Sequence, residues 1–225
     1  MDAHDRTLTA TVALIALCER LEIPRFVFAS SAAVYGRPAH LPITEDARCQ
    51  PLSPYGLQKL AGEKYLELFA LHHGFTAINL RFFNVYGPRQ QPGSAYSGVI
   101  SIFAEALRKG ERLQIFGDGS QTRDFIFVAD VVDAVCAAIE APLPNGHSRV
   151  LNIGTGGSTS LLALVEALQS GFATRPPEIT FAPARAGDIL HSQPDISAAR
   201  KFLGFAPKWG IQDGLRRLAE SLTRC

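Results

Sequence analysis

Arg25-Phe26-Val27-Phe28-Ala29-Ser30-Ser31-Ala32-Ala33-Val34-Tyr35-Gly36 reads as a short apolar strand that runs straight into small hydroxyl residues. In open α/β sheets, ligands bind at the carboxyl ends of strands, so Ser30 and Ser31 stand where a substrate-facing hydroxyl belongs. Downstream, Ser53-Pro54-Tyr55-Gly56-Leu57-Gln58-Lys59 opens a helix, with Ser53 and Pro54 a good N-cap and N1 pair. Tyr55 and Lys59 are spaced i, i+4 and share a helix face, which brings the ammonium near the phenol. A free tyrosine has a pKa of about 10 and is a poor base at neutral pH. A neighbouring cation favours the phenolate and makes proton transfer at a substrate hydroxyl feasible. On spacing alone Tyr-x-x-x-Lys also describes a solvated helix face; the strand ahead of it gives the pair chemical meaning.

Outward from these segments, elements alternate. A helix is expected over about 5–21, apolar around most of its circumference (Leu8, Val12, Leu14, Ile15, Leu17) and therefore buried on more than one side. A polar loop over 37–51 leads to the Tyr55 helix, whose apolar stripe is expected to be Leu57, Leu60, Ala61, Leu68 and Leu71, with Gly74 as its stop. Residues 77–85 read as a second buried strand, 99–109 as a helix ended by Gly110, and 112–116 as a strand before the turn at Gly117-Asp118-Gly119. A strand at 125–128 precedes a helix that Asp130 can cap. After Pro142, Pro144, Asn145 and Gly146 come a strand (150–154), a helix (160–170), a strand (178–182) and helices near 197–203 and 212–223. This alternation predicts an α/β fold built on a parallel sheet with right-handed crossovers.

Bulk composition narrows the classes. The 225 residues are 47% hydrophobic, enough for a sizeable core, and a net charge of +1 gives no sign of nucleic acid or an anionic membrane as partner. Cys18, Cys49, Cys136 and Cys225 lack C-x-x-C spacing, which fits a reduced cytoplasm and no zinc site or disulfide framework. The longest apolar run, Val12 to Cys18, is far too short to span a bilayer, and no basic segment precedes it as in a signal peptide. No His-x-x-x-His spacing, His-carboxylate pairing or Ser-His-Asp order points to a metal site or a hydrolase.

The two opening segments, with Leu80-Arg81-Phe82-Phe83-Asn84-Val85-Tyr86-Gly87-Pro88, Phe116-Gly117-Asp118-Gly119-Ser120-Gln121-Thr122-Arg123-Asp124-Phe125 and Arg185-Ala186-Gly187-Asp188, resemble the extended short-chain dehydrogenase/reductase superfamily. Within it the chain is similar to the NAD-dependent sugar-nucleotide epimerases and dehydratases, in particular the UDP-glucose and UDP-N-acetylglucosamine 4-epimerases. The resemblance implies the C-terminal part of a Rossmann-type sheet with a smaller α/β substrate domain. Its division is expected at residues 1–88 for the nucleotide-binding part and 89–225 for the substrate part, with 125–170 partly returning to the sheet. A homodimer through helices 5–21 and 54–73 is implied as well, because family members commonly pair these helices.

The family's glycine fingerprint, which holds the pyrophosphate at a helix N-terminus, should precede the strand of Ser31, yet no glycine lies ahead of it. Roughly the first four strands of the sheet are therefore expected to be absent, which would leave the Phe26–Ser31 strand as an exposed edge. Ile153-Gly154-Thr155-Gly156-Gly157-Ser158 is no substitute, since it fits neither G-x-G-x-x-G nor a P-loop, and it reads as a structural turn. A truncated or fragmentary homologue without NAD is the expectation opposed to a complete enzyme.

The resemblance assigns roles by position. Tyr55 would be the base, Ser31 would hydrogen-bond the same sugar oxygen, and Lys59 would hold the nicotinamide ribose and favour the Tyr55 phenolate; Ser30 and Phe82 would complete the NAD contacts. Asn84, Arg123 and Arg185 would face the diphosphate, where a guanidinium fork gives paired, charge-assisted hydrogen bonds, and Asp188 the ribose. Ala32-Ala33 stand where family dehydratases carry Thr-Asp-Glu and UDP-glucuronate decarboxylases a glutamate; neither alanine can move a proton, which favours epimerisation. Ser192, small where some glucose-restricted epimerases have tyrosine, would leave room for an N-acetyl group, and Arg89-Gln90-Gln91-Pro92-Gly93-Ser94-Ala95-Tyr96 resembles the N-acetylhexosamine-type enzymes.

Overall fold

The computed structural model describes residues 4–90, 98–172, 178–185 and 188–223. The chain divides into two compact units, the first made of Met1–Phe83, Asp133–Ile153 and Pro194–Phe205, the second of Asn84–Val132, Gly154–Gln193 and Ala206–Cys225.

The first unit is built on a parallel sheet of β1 (Arg25–Ser31), β2 (Thr76–Phe82) and β7 (Ser148–Ile153), in that spatial order. Ser31 lies opposite Phe82, and Phe82 opposite Ile153, so the three carboxyl ends finish level. Helix α1 (Ala10–Arg20), preceded by a π-helical turn over Asp5–Thr9, pairs with α2 (Pro54–His73), and Glu19 meets His73 at 2.8 Å. Ser53 caps α2 by accepting from the Gly56 amide at 3.1 Å, and Gly74 ends it at φ 75°, a left-handed cap that glycine takes without strain. Ile15, Phe28, Leu66, Ala70, Phe75 and Ala77 form the core between α1, α2 and the sheet.

One expectation is corrected here. The buried face of α2 is Gly56, Gly62, Glu63, Leu66 and Ala70, while Leu57, Leu68 and Leu71 are exposed. Glycines let α2 lie against β1 at a distance that leucines would not permit: a Cβ on Gly62 would meet the Phe28 ring at 2.7 Å, and one on Gly56 the Ala33 carbonyl at 2.5 Å. On α1 only Ile15 is buried among the described residues, while Leu14 and Leu17 face outward. As expected for an edge strand, β1 has β2 as its one partner among the described residues.

In the second unit, β3 (Asn84–Tyr86) pairs in parallel with β6 (Phe125–Phe127), and β4 (Leu113–Phe116) with β9 (Ile179–Ala182). β5 (Thr122–Arg123) runs antiparallel to β8 (Thr159–Ser160). Residues 77–85 are therefore not one strand: the ladder with β7 ends at Phe82, and Asn84 pairs with Phe125 instead. The amphipathic helix α3 (Val99–Lys109), with α5 (Leu161–Phe172) and α7 (Ile211–Thr223), encloses a core of Phe103, Leu107, Leu113, Ile115, Leu164, Leu168, Leu215 and Leu218. Helix α4 (Val128–Glu140) begins before Asp130, which does not cap it; the buried carboxylate accepts from the Lys208 and Trp209 amides at 2.9 and 3.2 Å. Short helix α6 (Ser197–Leu203) belongs to the first unit, where Phe202 stacks under Arg149. Among the described residues, no helix is long and apolar enough to cross a membrane, and no group of three or more His, Cys, Asp or Glu is placed to hold a metal ion.

Candidate functional site

In the first unit the carboxyl end of β1 meets the first turns of α2, where Gly56 lies against the Ala33 carbonyl and Lys59 against that of Ala29. Ser31 closes β1 in extended backbone, and its Oγ accepts from the Ala33 amide at 3.2 Å, starting a single turn over Ala32–Val34. That bond uses a lone pair, and the hydroxyl proton has no acceptor among the described residues. Lys59 lies one turn after Tyr55; its Nζ is 5.7 Å from the centre of the tyrosine ring and 5.0 Å from that of Phe28. Nζ also donates to the Ala29 carbonyl at 2.8 Å. Partial burial pulls the Lys59 ammonium below its ordinary pKa.

Ser30 is placed differently from Ser31. Successive strand residues point to opposite faces, and the Ser30 side chain is buried against α2, where its hydroxyl donates to Glu63. Glu63 in turn receives Arg81 in a bidentate fork, Nε to Oε1 at 2.9 Å and Nη2 to Oε2 at 2.7 Å. Arg81 stacks on the Tyr35 ring at 4.7 Å, and the Tyr35 hydroxyl donates to Asn152 Oδ1 at 2.6 Å. Burial pushes the Tyr35 phenol up to about 12, against the pull of Arg81, so it is a neutral donor here. Phe82, half-buried, ends β2 beside Ser31.

The second unit holds a cavity of about 790 Å³ lined by Asn84, Arg123, Arg185 and Asp188, together with Phe103, Leu113 and Phe116. Four of the six residues expected to meet the substrate thus line one cavity; Ser31 and Ser192 do not. Arg185 lays its guanidinium on the Phe116 ring at 3.8 Å. Arg123 Nη2 meets Asp188 Oδ1 at 3.2 Å, and Asn84 Nδ2 donates to the Asp124 carbonyl at 2.9 Å. Burial pulls the Arg123 guanidinium below its usual value, with Asp188 opposing, and it stays a cation. Ser192 is buried, its amide bonded to the Thr122 carbonyl at 3.1 Å, and is not among the lining residues. Residues 91–97, most of the segment resembling N-acetylhexosamine-type enzymes, lie outside the described residues, as do Ala186 and Gly187.

The Gly154–Gly157 turn already has an anion. Asp124, almost fully buried, accepts from the Thr155 amide at 2.9 Å and its hydroxyl at 2.8 Å, and the Gly157 amide donates to the Thr155 hydroxyl oxygen at 3.0 Å. Burial raises the Asp124 carboxyl above its ordinary pKa, and these donors hold it back.

A family model, NAD dependent epimerase/dehydratase, matches residues 1–154. The chain belongs to that family. Family kinship extends past the matched segment. A UDP-glucose 4-epimerase of Mycolicibacterium smegmatis is 41% identical over 85% of this chain and 59% of its own length. The solved UDP-N-acetylglucosamine 4-epimerase of Methanobrevibacter ruminantium, in complex with UDP-N-acetylmuramic acid, aligns with a TM-score of 0.91 and 32% identity over 98% of this chain and 69% of the other. MoeE5 in complex with UDP-glucuronic acid and NAD aligns at 0.87 and 37% identity, over 97% and 71%. The chain spans 59–68% of the length of the first curated relatives it matches.

Sequence reasoning quoted Arg81 and Phe116 inside motifs without giving either a task, and it passed over Glu63. A signal was present for the last: Glu63 continues the i, i+4 series of Tyr55 and Lys59, on a face otherwise lined by glycine and apolar residues. Lys109 and Arg112 also line the cavity, where nothing in their spacing marks them.

Proposed function

We propose that the chain carries the proton-transfer and substrate-gripping parts of an NAD-dependent sugar-nucleotide 4-epimerase acting on a UDP-hexose through a 4-keto intermediate. The observation that carries this is the Lys59 ammonium beside the Tyr55 ring at the end of β1, where Ser31 has a hydroxyl proton to give. Tyr55, as phenolate, takes the proton of the sugar hydroxyl. Ser31 donates to the same oxygen, and the Lys59 charge favours the phenolate. Arg123, Arg185 and Asn84 hold the diphosphate and Asp188 the ribose; Ser192, outside the cavity lining, is given no part in it.

NAD, when bound, supplies the hydride acceptor and donor for the sugar carbon. The residues present fit its nicotinamide end: Lys59, beside Tyr55, offers donors for ribose hydroxyls, and Phe82 ends β2 opposite Ser31. Ser30 does not fit that role, because Glu63 takes its hydroxyl. Nor does the Gly154–Gly157 turn fit the pyrophosphate, since the buried Asp124 carboxylate already takes the Thr155 amide and hydroxyl. A turn engaged in this way favours a second reading, a homologue that binds nucleotide sugar, or dimerises, without NAD.

The outward leucines of α1 and α2 (Leu14, Leu17, Leu57, Leu68, Leu71) support a homodimer through these helices. The deciding experiment supplies the purified chain with NAD and follows interconversion of UDP-glucose and UDP-galactose, and of their N-acetyl counterparts, beside Y55F. Turnover lost in Y55F supports the epimerase, and the relative rates of the two pairs show which sugar is preferred. UDP-sugar binding without NAD uptake establishes the second reading instead.

A further inference from the structure

A buried ion pair stands on the same stripe of α2 as Tyr55 and Lys59. Glu63 continues their i, i+4 series, and all of its acceptor capacity toward the sheet is taken: Oε1 by Arg81 Nε at 2.9 Å and by the Ser30 hydroxyl, Oε2 by Arg81 Nη2 at 2.7 Å. Arg81 lies opposite Ser30 in the β1–β2 register, so one carboxylate clamps two strands at once. Its remaining nitrogen, Nη1, donates to the Glu45 carbonyl at 3.0 Å. Glu63, Arg81 and Ser30 are 3%, 4% and 2% exposed.

Burial this complete is a poor source of stability, because desolvation of the two charges offsets most of their attraction, and well-packed apolar pairs are often as stable. What a bidentate fork does supply is geometry, since it fixes separation and rotation together. The glycine contacts at Ala33 and Phe28 set how closely α2 approaches β1, but a smooth glycine surface does not stop a helix from turning about its axis. Glu63 does. Ser30 immediately precedes Ser31, and Glu63 lies one turn beyond Lys59, so the clamp ties together the two segments that present Ser31 and the Tyr55–Lys59 pair.

We propose that Glu63, acting through Arg81 and Ser30, is a positioning residue that sets the rotation of α2 on β1 and keeps Tyr55 and Lys59 aligned with Ser31. It touches neither substrate nor cofactor, and its catalytic consequence rests on Tyr55 being the base. The test compares the chain with E63M/R81M, which leaves no unpaired buried charge, and with S30A, which removes only the hydroxyl contact. Urea unfolding and circular dichroism establish that each is folded. Two readouts follow: kcat and KM with NAD and UDP-hexose, and the titration midpoint of the Tyr55 phenol by 13C NMR of labelled tyrosine, assigned with Y55F.

The double variant is expected to keep KM, to lose kcat on the order of 10²-fold, as misplacement of reacting groups by about 1 Å does, and to show a displaced Tyr55 midpoint. S30A is expected to move both in the same direction by less. A folded double variant with parental kcat and parental midpoint overturns the proposal. Where the parent shows no turnover, the epimerase reading fails by itself, and the midpoint still decides: displacement supports positioning by Glu63, coincidence overturns it. Should the double variant not fold, S30A at parental stability decides on the same two readouts.

Discussion

The Lys59 ammonium donates to the Ala29 carbonyl at 2.8 Å while standing 5.7 Å from the Tyr55 ring centre, so a strand carbonyl anchors the cation that faces the phenol. Replacing Lys59 by Met keeps the stem and removes the charge. In an active protein kcat is expected to fall about 10²–10⁴-fold, the range for a lost acid–base partner, and the limb of the kcat–pH profile set by Tyr55 should move to higher pH. A K59M profile with an unmoved limb would show that the charge does not act on Tyr55.

Gly62 and Phe28 form a second, testable contact. A methyl group at Gly62 would meet the Phe28 ring at 2.7 Å, so G62A should cost about 1–3 kcal/mol by overpacking, read as a lower urea midpoint. Because the obstacle is a ring tip, F28L should relieve it, and the double-mutant cycle should show positive coupling. At Gly56 the obstacle is the Ala33 backbone carbonyl at 2.5 Å, and no side-chain replacement is expected to rescue G56A.

Arg185 stacks on Phe116 without a carboxylate partner among the described residues, whereas Arg123 is paired with Asp188. If both hold a diphosphate, R185A and R123A should each weaken UDP-sugar binding by about 1.5–3 kcal/mol, roughly 10- to 150-fold in Kd, as for hydrogen bonds to charged groups. Titration calorimetry with UDP checks this without any turnover. Unchanged Kd values would remove both arginines from the proposed site.

Leu68 and Leu71, the latter 67% exposed, stand on the outer face of α2. In a homodimer through α1 and α2, L68E should yield monomers in light scattering with the urea midpoint of the monomer unchanged, since neither leucine supports the internal core. A parental chain that is already monomeric would refute the dimer directly.

Asp124 predicts a pH effect with a definite sign. Its carboxyl is raised by burial above the ordinary value of 3.8, so between that value and its folded-state pKa the native protein binds more protons than the unfolded one. Stability attributable to Asp124 therefore increases as pH falls through that window. D124N lacks this linkage, although it loses acceptor capacity toward Thr155 at a cost of about 1–3 kcal/mol. The stability gap between parent and D124N, measured in urea, should widen as pH is lowered. A gap that narrows would show that the hydrogen bonds outweigh burial.

Patterns within a few residues of each other proved legible where local physics decides. Ser53-Pro54 and Gly74 delimit α2 because caps and left-handed termini are matters of the adjacent backbone. Phe26–Ser31 reads as a strand because its apolar run ends in hydroxyls. The buried side of α2 was misread for an equally physical reason: periodicity marks an apolar stripe, but does not say whether the chain's own sheet or another surface covers it. Glycine at the close approach and a charged residue inside are invisible to hydrophobic pattern.

The sequence by itself determined the α/β succession, the Tyr55–Lys59 spacing and the kinship with the epimerase/dehydratase family, since each is written in neighbouring residues. Only the tertiary structure decided that Ser30 turns inward to Glu63 while Ser31 keeps a proton to donate, that Asp124 binds Thr155 of the glycine turn, and that Asn84, Arg123, Arg185 and Asp188 line one cavity. Those facts depend on which strands lie side by side and how closely a helix approaches them, and packing over long sequence separations sets both.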